Sequence, residues 1–193
     1  TYSVAENTAT VGTMSITDTD TSGTQACSVA GADNALFTCT VSSGTATLAF
    51  ASAPNYDSPS DAGTNNVYDI TVSFTDGTNT LGAQTTAITV TDLNDQTPAA
   101  TVAATYSVAE NTATVGTMSI TDTDTSGTQA CSVAGADNAL FTCTVSSGTA
   151  TLAFASAPNY ESPGDAGANN VYDITVSFTD GTNTLGAQTT AIT

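Results

Sequence analysis

The 193 residues contain no Lys, no Arg, no His and no Trp, while Asp and Glu together number 18, for a formal net charge of −18. Each absence removes a class of function. With no cationic side chain there is no means of neutralising phosphates, so nucleic acid is excluded as a partner, and so is an anionic lipid surface. Without His the commonest general base and the commonest neutral metal ligand are missing. Without Lys there is no Schiff base and no lysine isopeptide crosslink. No side-chain salt bridge can form. Eighteen uncompensated carboxylates repel one another in a compact chain, so cations from outside are expected. Long apolar runs are also absent, and nothing approaches the roughly 18 residues of a membrane-spanning helix. No leader is legible. The chain opens in a strand-like segment, and any leader is expected to lie upstream or to have been removed.

Hydrophobic residues make up 39% of the chain, enough for a β core. Thr is abundant, and Val and Ile fall in short alternating runs, which favours strands. Self-comparison sets the organisation. Thr1-Tyr-Ser-Val-Ala-Glu-Asn7 recurs as Thr105-Tyr-Ser-Val-Ala-Glu-Asn111, an offset of 104. Residues 1–89 match 105–193 except at Asp57/Glu161, Ser60/Gly164 and Thr64/Ala168, all in one loop. A period of this length suits a whole β-sandwich domain, not a solenoid turn. Residues 1–95 are read as a first repeat, 96–104 as a linker, and 105–193 as a second repeat whose last strand is cut. The chain is therefore expected to be a window on a longer array.

Period-2 alternation predicts seven antiparallel strands per repeat, an all-β Greek-key sandwich. Their markers are Tyr2 and Val4; Met14 and Ile16; Cys27 and Val29; Phe37, Cys39 and Val41; Ala46, Leu48 and Phe50; Tyr68, Ile70, Val72 and Phe74; and Ile88 and Val90. Following which end each strand reaches sorts the acids. Asp18, Asp20 and Asp76 fall at the end where the first strand starts. Glu6, Asp57, Asp92 and Asp95 fall at the opposite end. In a tandem array the second set meets the first set of the next copy, here Asp122, Asp124 and Asp180. Like charges gathered this way are costly without cations, and hard oxygen donors in this number suit Ca²⁺ over Mg²⁺. Asp33, Asp61 and Asp69, with their counterparts, are expected to be solvated surface. No Ser or Thr has a basic partner, so no nucleophile is expected and no enzyme activity. Tyr56, in the loop that varies between copies, is the one candidate aromatic platform for sugar.

These residues resemble a cadherin-type repeat, of the sort also found in bacterial surface proteins. Val4-Ala5-Glu6-Asn7 is similar to the family's glutamate motif, Asp18-Thr19-Asp20 to its D-x-D, and Asn55-Tyr56-Asp57 to its acidic triplet. Val72 to Asp76 resembles the strand ending in a ligating Asp, and Asp92-Leu93-Asn94-Asp95-Gln96-Thr97-Pro98 the linker D-x-N-D-N-x-P. The resemblance implies Ca²⁺ at a junction beginning at Asp92. Its ligands are Glu6, Asp57, Asp92, Asn94 and Asp95, together with Asp122, Asp124 and Asp180, and Leu93 and Gln96 are further candidates. Asp18, Asp20 and Asp76, and likewise Glu110 and Glu161, form half-sites that a neighbour must complete. Asn55 stands where an Asp is usual and Gln96 where an Asn is usual, and Gln25 and Gln129 stand near a position that is commonly Asn.

The cysteines fall on inward positions of successive strands, 12 apart. Disulfides Cys27–Cys39 and Cys131–Cys143 are expected, with the oxidising extracellular setting they imply. A calcium-rigidified stalk or spacer of an extracellular fibre or giant adhesin, serving cell-surface or biofilm attachment, follows from the resemblance. Neighbouring identical repeats are its expected partners. The alternatives are a glycan- or cell-binding adhesin module, and a filament subunit assembling by strand exchange between chains.

Overall fold

A computed structural model describes residues 1–20 and 23–193. The chain divides into two compact units, Thr1–Leu93 and Asn94–Thr193. Among the described residues no helix is long and apolar enough to cross a membrane.

Among its described residues the first unit has seven strands: β1 (Tyr2–Ala5), β2 (Thr10–Ser15), β3 (Ala26–Ala30), β4 (Phe37–Ser42), β5 (Thr45–Phe50), β6 (Val67–Thr75) and β7 (Thr80–Thr91). One sheet has the order β1-β7-β6-β3 and the other β2-β5-β4. Alternation puts Tyr68, Ile70 and Val72 of β6 inward against Leu48 and Phe50 of β5, and Ile88 and Val90 of β7 join them. Burying side chains of this size contributes about 1.5–3 kcal/mol each. Phe37, Phe50 and Tyr68 meet as a trio, with ring centroids 4.4 to 5.9 Å apart. Cys27–Cys39 joins β3 to β4, edge strand to edge strand, with Cα atoms 5.8 Å apart.

The expectation of an all-antiparallel set needs one correction. β1 pairs with β7 in parallel, from Tyr2 opposite Ile88 to Ala5 opposite Thr91. Both strands run the same way through the sandwich, so edge pairing between them can only be parallel. β7 also begins at Thr80, well before the Ile88 and Val90 that mark it in the sequence.

The second unit repeats this plan with β10 (Thr114–Thr121), β11 (Ala130–Ala134), β12 (Phe141–Ser146), β13 (Thr149–Phe154), β14 (Tyr172–Thr179) and β15 (Thr184–Ile192). Its first strand is split into β8 (Ala99–Ala100) and β9 (Thr105–Tyr106). β8 joins the edge of β10, opposite Ile120 and Thr121, and β9 joins the edge of β15. Between them Val102 is buried in the core. Gln188 of β15 fastens this crossing: its Oε1 accepts from the Val102 amide (3.0 Å) and its Nε2 donates to the Ala100 carbonyl (3.0 Å). Cys131–Cys143 repeats the first unit's bridge.

The loop acids correct a second expectation. Asp33 is 5% exposed and Asp61 3%, and Asp137 and Asp165 are buried alike, while Asp69 and Asp173 are exposed as expected. Asp33 accepts from the amides of Ala62 (2.7 Å) and Asp69 (2.6 Å), pinning the loop that follows β5 onto the start of β6. Asp61 accepts from Asn65 and Asn66 (both 3.1 Å) and closes the loop on itself. In the second copy the amides of Asn169 and Asn170 hold the Asp165 carboxyl below its ordinary pKa, against the opposing effect of burial. A loop buries its backbone donors only when acceptors reach them, and here carboxylates do so. Asp33→Ala leaves two such amides without acceptors and is expected to cost about 2 kcal/mol of stability. Chemical denaturation of the variant checks this, and an unchanged midpoint would contradict it.

Candidate metal centre

Glu6 follows β1 and is 0% exposed. Its amide donates to the Thr91 carbonyl (3.0 Å). Its carboxylate oxygens are both engaged: Oε2 accepts from the Tyr56 amide and Oε1 from the Leu93 amide, each at 2.8 Å. The next residue, Asn7, takes the left-handed conformation (φ 62°) and donates to the Pro54 carbonyl (2.9 Å). One buried carboxylate thus fixes two backbone segments, and each carries a further acid. Asp57 follows Tyr56, Asp92 precedes Leu93, and both are half-buried. The sequence-predicted Glu6, Asp57 and Asp92 therefore sit at one end of the first unit.

At the other end of that unit, carboxylate oxygens of Asp18, Asp20 and Asp76 lie within 4.8 Å of one another. Asp76 caps the turn after β6, its Oδ1 accepting from the amides of Thr78 (2.7 Å) and Asn79 (2.6 Å). The amides of Asn79 and Thr78, helped by the Asn79 side chain, hold the Asp76 carboxyl below its ordinary pKa. Asp18 Oδ1 accepts from the Asp20 amide (3.0 Å). Asp18 and Asp20 are exposed.

In the second unit Asp122, Asp124 and Asp180 form the corresponding cluster, again with one oxygen of each within 4.8 Å of the others. Here the group is enclosed, and Asp180 is 1% exposed. The residues Asn94 to Gln96 close over it. The Gln96 amide donates to Asp124 Oδ2 (2.8 Å), and Gln96 Nε2 donates to Asp95 Oδ1 (2.6 Å). Asn183, which the sequence reading did not single out, donates from Nδ2 to the Asn94 carbonyl (3.2 Å) and to Asp180 Oδ2 (3.3 Å). Its signal is the turn Asp180-Gly-Thr-Asn183, an Asp capping the amides two and three residues on. Gly127 (φ 104°) brings the Thr128 amide to the Asp180 carbonyl (2.6 Å), and a Cβ at Gly127 would stand 2.7 Å from that oxygen. Burial pushes the Asp180 carboxyl up. Hydrogen bonds from the Asn183 and Thr182 amides, and from the Asn183 and Asn94 side chains, outweigh it and leave the pKa below the ordinary value. These hydrogen bonds favour the ionised form of Asp180.

The Asn94 amide tests whether this set fits a cation. One of its two terminal atoms lies 2.9 Å from Asp180 Oδ2 and 3.0 Å from Asp124 Oδ2. With nitrogen there, the amide donates to both carboxylates. With oxygen there, the atom accepts from Asn183 Nδ2 (3.3 Å) and also faces two carboxylate oxygens, a repulsion that a cation would relieve. The same side chain therefore satisfies the cluster without metal and adds an oxygen ligand with it. Carboxylate and amide oxygens spaced this way suit a hard divalent ion such as Ca²⁺, which takes about 6–8 oxygens at about 2.3–2.6 Å.

The remaining predicted pair, Glu110 and Glu161, is exposed at the far end of the second unit. Glu110 Oε2 accepts from the Tyr160 amide (3.2 Å). Tyr56 packs against the first unit's core, whereas Tyr160 is 66% exposed.

No family model and no curated protein matches the chain by sequence. Solved structures do match it. The ectodomain of human desmocollin-1 superposes with a TM-score of 0.70 at 17% identity, over 99% of this chain and 39% of that one. The fold is cadherin-like. A protocadherin gammaB7 cis-dimer structure, repeats EC3-6, gives 0.67 at 17% identity over 99% of this chain and 44% of that one. Human protocadherin-24 EC1-2 gives 0.64 at 19% identity over 91% and 84%. The chain thus spans less than half of the desmocollin and gammaB7 chains. Both units carry the cadherin-like arrangement that the five sequence motifs imply.

Proposed function

We propose that the chain is a calcium-stiffened structural segment of an extracellular fibre or large adhesin, acting as a stalk or spacer in surface attachment. The observation that carries this reading is the enclosed cluster Asp122, Asp124 and Asp180, covered by Asn94 to Gln96 in a chain without a single cationic side chain. In this reading Glu6, Asp57 and Asp92 share ions with Asp95 and that cluster. Bound calcium supplies the charge that lets these carboxylates approach and removes the freedom of the backbone between the repeats. The chain's own residues do the positioning. Glu6 holds the segments bearing Asp57 and Asp92, Asn183 holds Asp180 and Asn94, and Gln188 holds the segment after Pro98. The two disulfides fit an oxidising exterior, and the role involves no catalysis. Near-identical repeats suit a spacer because every joint then has the same geometry.

Small-angle scattering of the 193-residue chain tests this. In millimolar calcium the distance distribution is expected to be that of a single elongated particle. Excess chelator should give a broader, shorter average. Identical curves in the two conditions, with calcium binding confirmed by calorimetry, would contradict stiffening. Absence of calorimetric binding would contradict the metal itself.

A further inference from the structure

One edge strand in each unit lacks the devices that keep sheet edges apart. β4 is the outer strand of the sheet β2-β5-β4, and β12 holds the same place in the second unit. Exposed edges are ordinarily guarded by charged side chains, Pro, bulges or a covering segment. The sequence Phe37-Thr-Cys-Thr-Val-Ser42 has neither charge nor Pro, and Phe141–Ser146 repeats it. Its register with β5 runs unbroken from Phe37 opposite Phe50 to Ser42 opposite Thr45, whereas the β2–β5 and β6–β7 ladders are each bulged. The turn after β4 fixes which way its main-chain groups point. Ser43 (φ 49°) and Gly44 (φ 74°) form a two-residue hairpin turn. The flanking pair Ser42 and Thr45 therefore exchanges both hydrogen bonds, and by alternation so do Thr40 with Thr47 and Thr38 with Ala49. The N–H and C=O groups of Cys39 and Val41 then point to the open edge, where no ladder takes them among the described residues. The Phe37 amide obeys the same alternation, turning away from β5 to the Asn34 carbonyl.

We propose that β4 and β12 are edges for side-by-side pairing with a second copy of this chain, strand to strand and antiparallel. Self-complementarity and charge commit the edge to that occupant. Rotation about a two-fold axis at Thr40 puts Cys39 opposite Val41 of the second copy, and Val41 opposite Cys39 of the second copy. Each such pair exchanges two N–H···O bonds, which takes up every outward group of both residues. Thr40 then faces its own counterpart, and Thr38 faces Ser42. All three are exposed, and small hydroxyl residues pair favourably across strands. A contact of this kind is isologous and closes on itself. The chain carries a net charge of −18 without a single cation, so most surfaces of two copies repel. This side of the sandwich does not, because the exposed residues of the neighbouring β3 are Ala26, Ser28 and Ala30. The Cys27–Cys39 bridge anchors β4 from its inward side, so the edge is in place before a second copy arrives. Each chain carries two such edges, and pairing can therefore extend past a dimer. No metal takes part. Its use as lateral cohesion between fibres rests on the function proposed above, whereas the pairing itself does not and is tested without calcium.

The test uses the 193-residue chain in chelator at about 0.5 M salt, where long-range repulsion is screened. Single cysteines report the register. Thr40→Cys sets the new thiol against its own counterpart with Cα atoms about 4.5 Å apart, within the span of a disulfide. In a glutathione redox buffer it is expected to form covalent dimers at least about tenfold faster than Thr45→Cys, an exposed position on the same face but one strand in from the edge. Thr38→Cys alone should stay at the control rate, while an equimolar mixture of Thr38→Cys and Ser42→Cys should cross-link. In the unaltered chain the amides of Cys39, Val41, Cys143 and Val145 should shift with protein concentration, with a dissociation constant of about 1 mM or tighter. Thr40→Lys together with Thr144→Lys lowers the net negative charge, which by electrostatics alone favours association. Edge pairing predicts the opposite, loss of those shifts. Equal rates for Thr40→Cys and Thr45→Cys, cross-linking of Thr38→Cys on its own, or shifts that survive the two lysines would overturn the proposal. So would amides that stay fixed across the concentration range.

Discussion

Replacing Cys131 and Cys143 with alanine is expected to lower the stability of the second unit by about 3 kcal/mol, the value for closing a loop of this length in the unfolded chain. The first unit should be unaffected. The bridge carries this weight because of where it lies. β11 and β12 are edge strands of different sheets, with no ladder between them, and the disulfide is the covalent tie along that side. With no cationic side chain in the unit, no salt bridge shares this load. Thermal unfolding should resolve into two transitions, the lower belonging to the altered unit. Reducing agent applied to the native chain should bring both transitions down together. A single unshifted transition in the double variant would show that the bridge adds nothing to folding.

The second large effect concerns the metal. Asp180→Asn is expected to weaken calcium binding at least about tenfold, while Asp76→Asn leaves the tightest site unchanged. The amide oxygen of Asn still accepts from the Thr182 and Asn183 amides, which Asp180 now caps at 2.7 Å each, so the turn survives and the charge alone is removed. The contrast between the copies arises because the segment Asn94 to Gln96 encloses Asp122, Asp124 and Asp180, whereas Asp18 and Asp20 are open to solvent. Calorimetric titration of both variants decides it. Equal losses would place the ion elsewhere.

Much of the fold is legible in the sequence. Strict alternation in Tyr68-Asp-Ile-Thr-Val-Ser-Phe74 allows only a strand with one buried face, and the order of the acidic motifs along the chain suffices to sort them by end. Other features depend on partners that are distant in sequence. The parallel pairing of β1 with β7 joins residues more than 80 positions apart. The split into β8 and β9 depends on Gln188, nearly 90 residues from the backbone it holds. Asp33 and Asp61 looked like ordinary loop acids because nothing in an alternating pattern marks a loop as buried. Asp61 did carry a local sign, since Asp61-Ala-Gly-Thr-Asn-Asn66 has the spacing for a carboxylate that caps amides four and five residues on. Asp33 carried none, because its targets are 29 and 36 residues away.

The short span of each disulfide matters most while the polypeptide is being made. Two nearly identical modules offer each thiol a choice of wrong partners, and Cys131 stands 92 positions beyond Cys39 against 12 for the correct mate. Ring closure over the shorter span is favoured by about 2 kcal/mol on chain statistics alone. Each module can therefore oxidise as it emerges, before its successor exists to compete. A polymer of repeated cysteine pairs built on this spacing escapes the scrambling that its own redundancy invites.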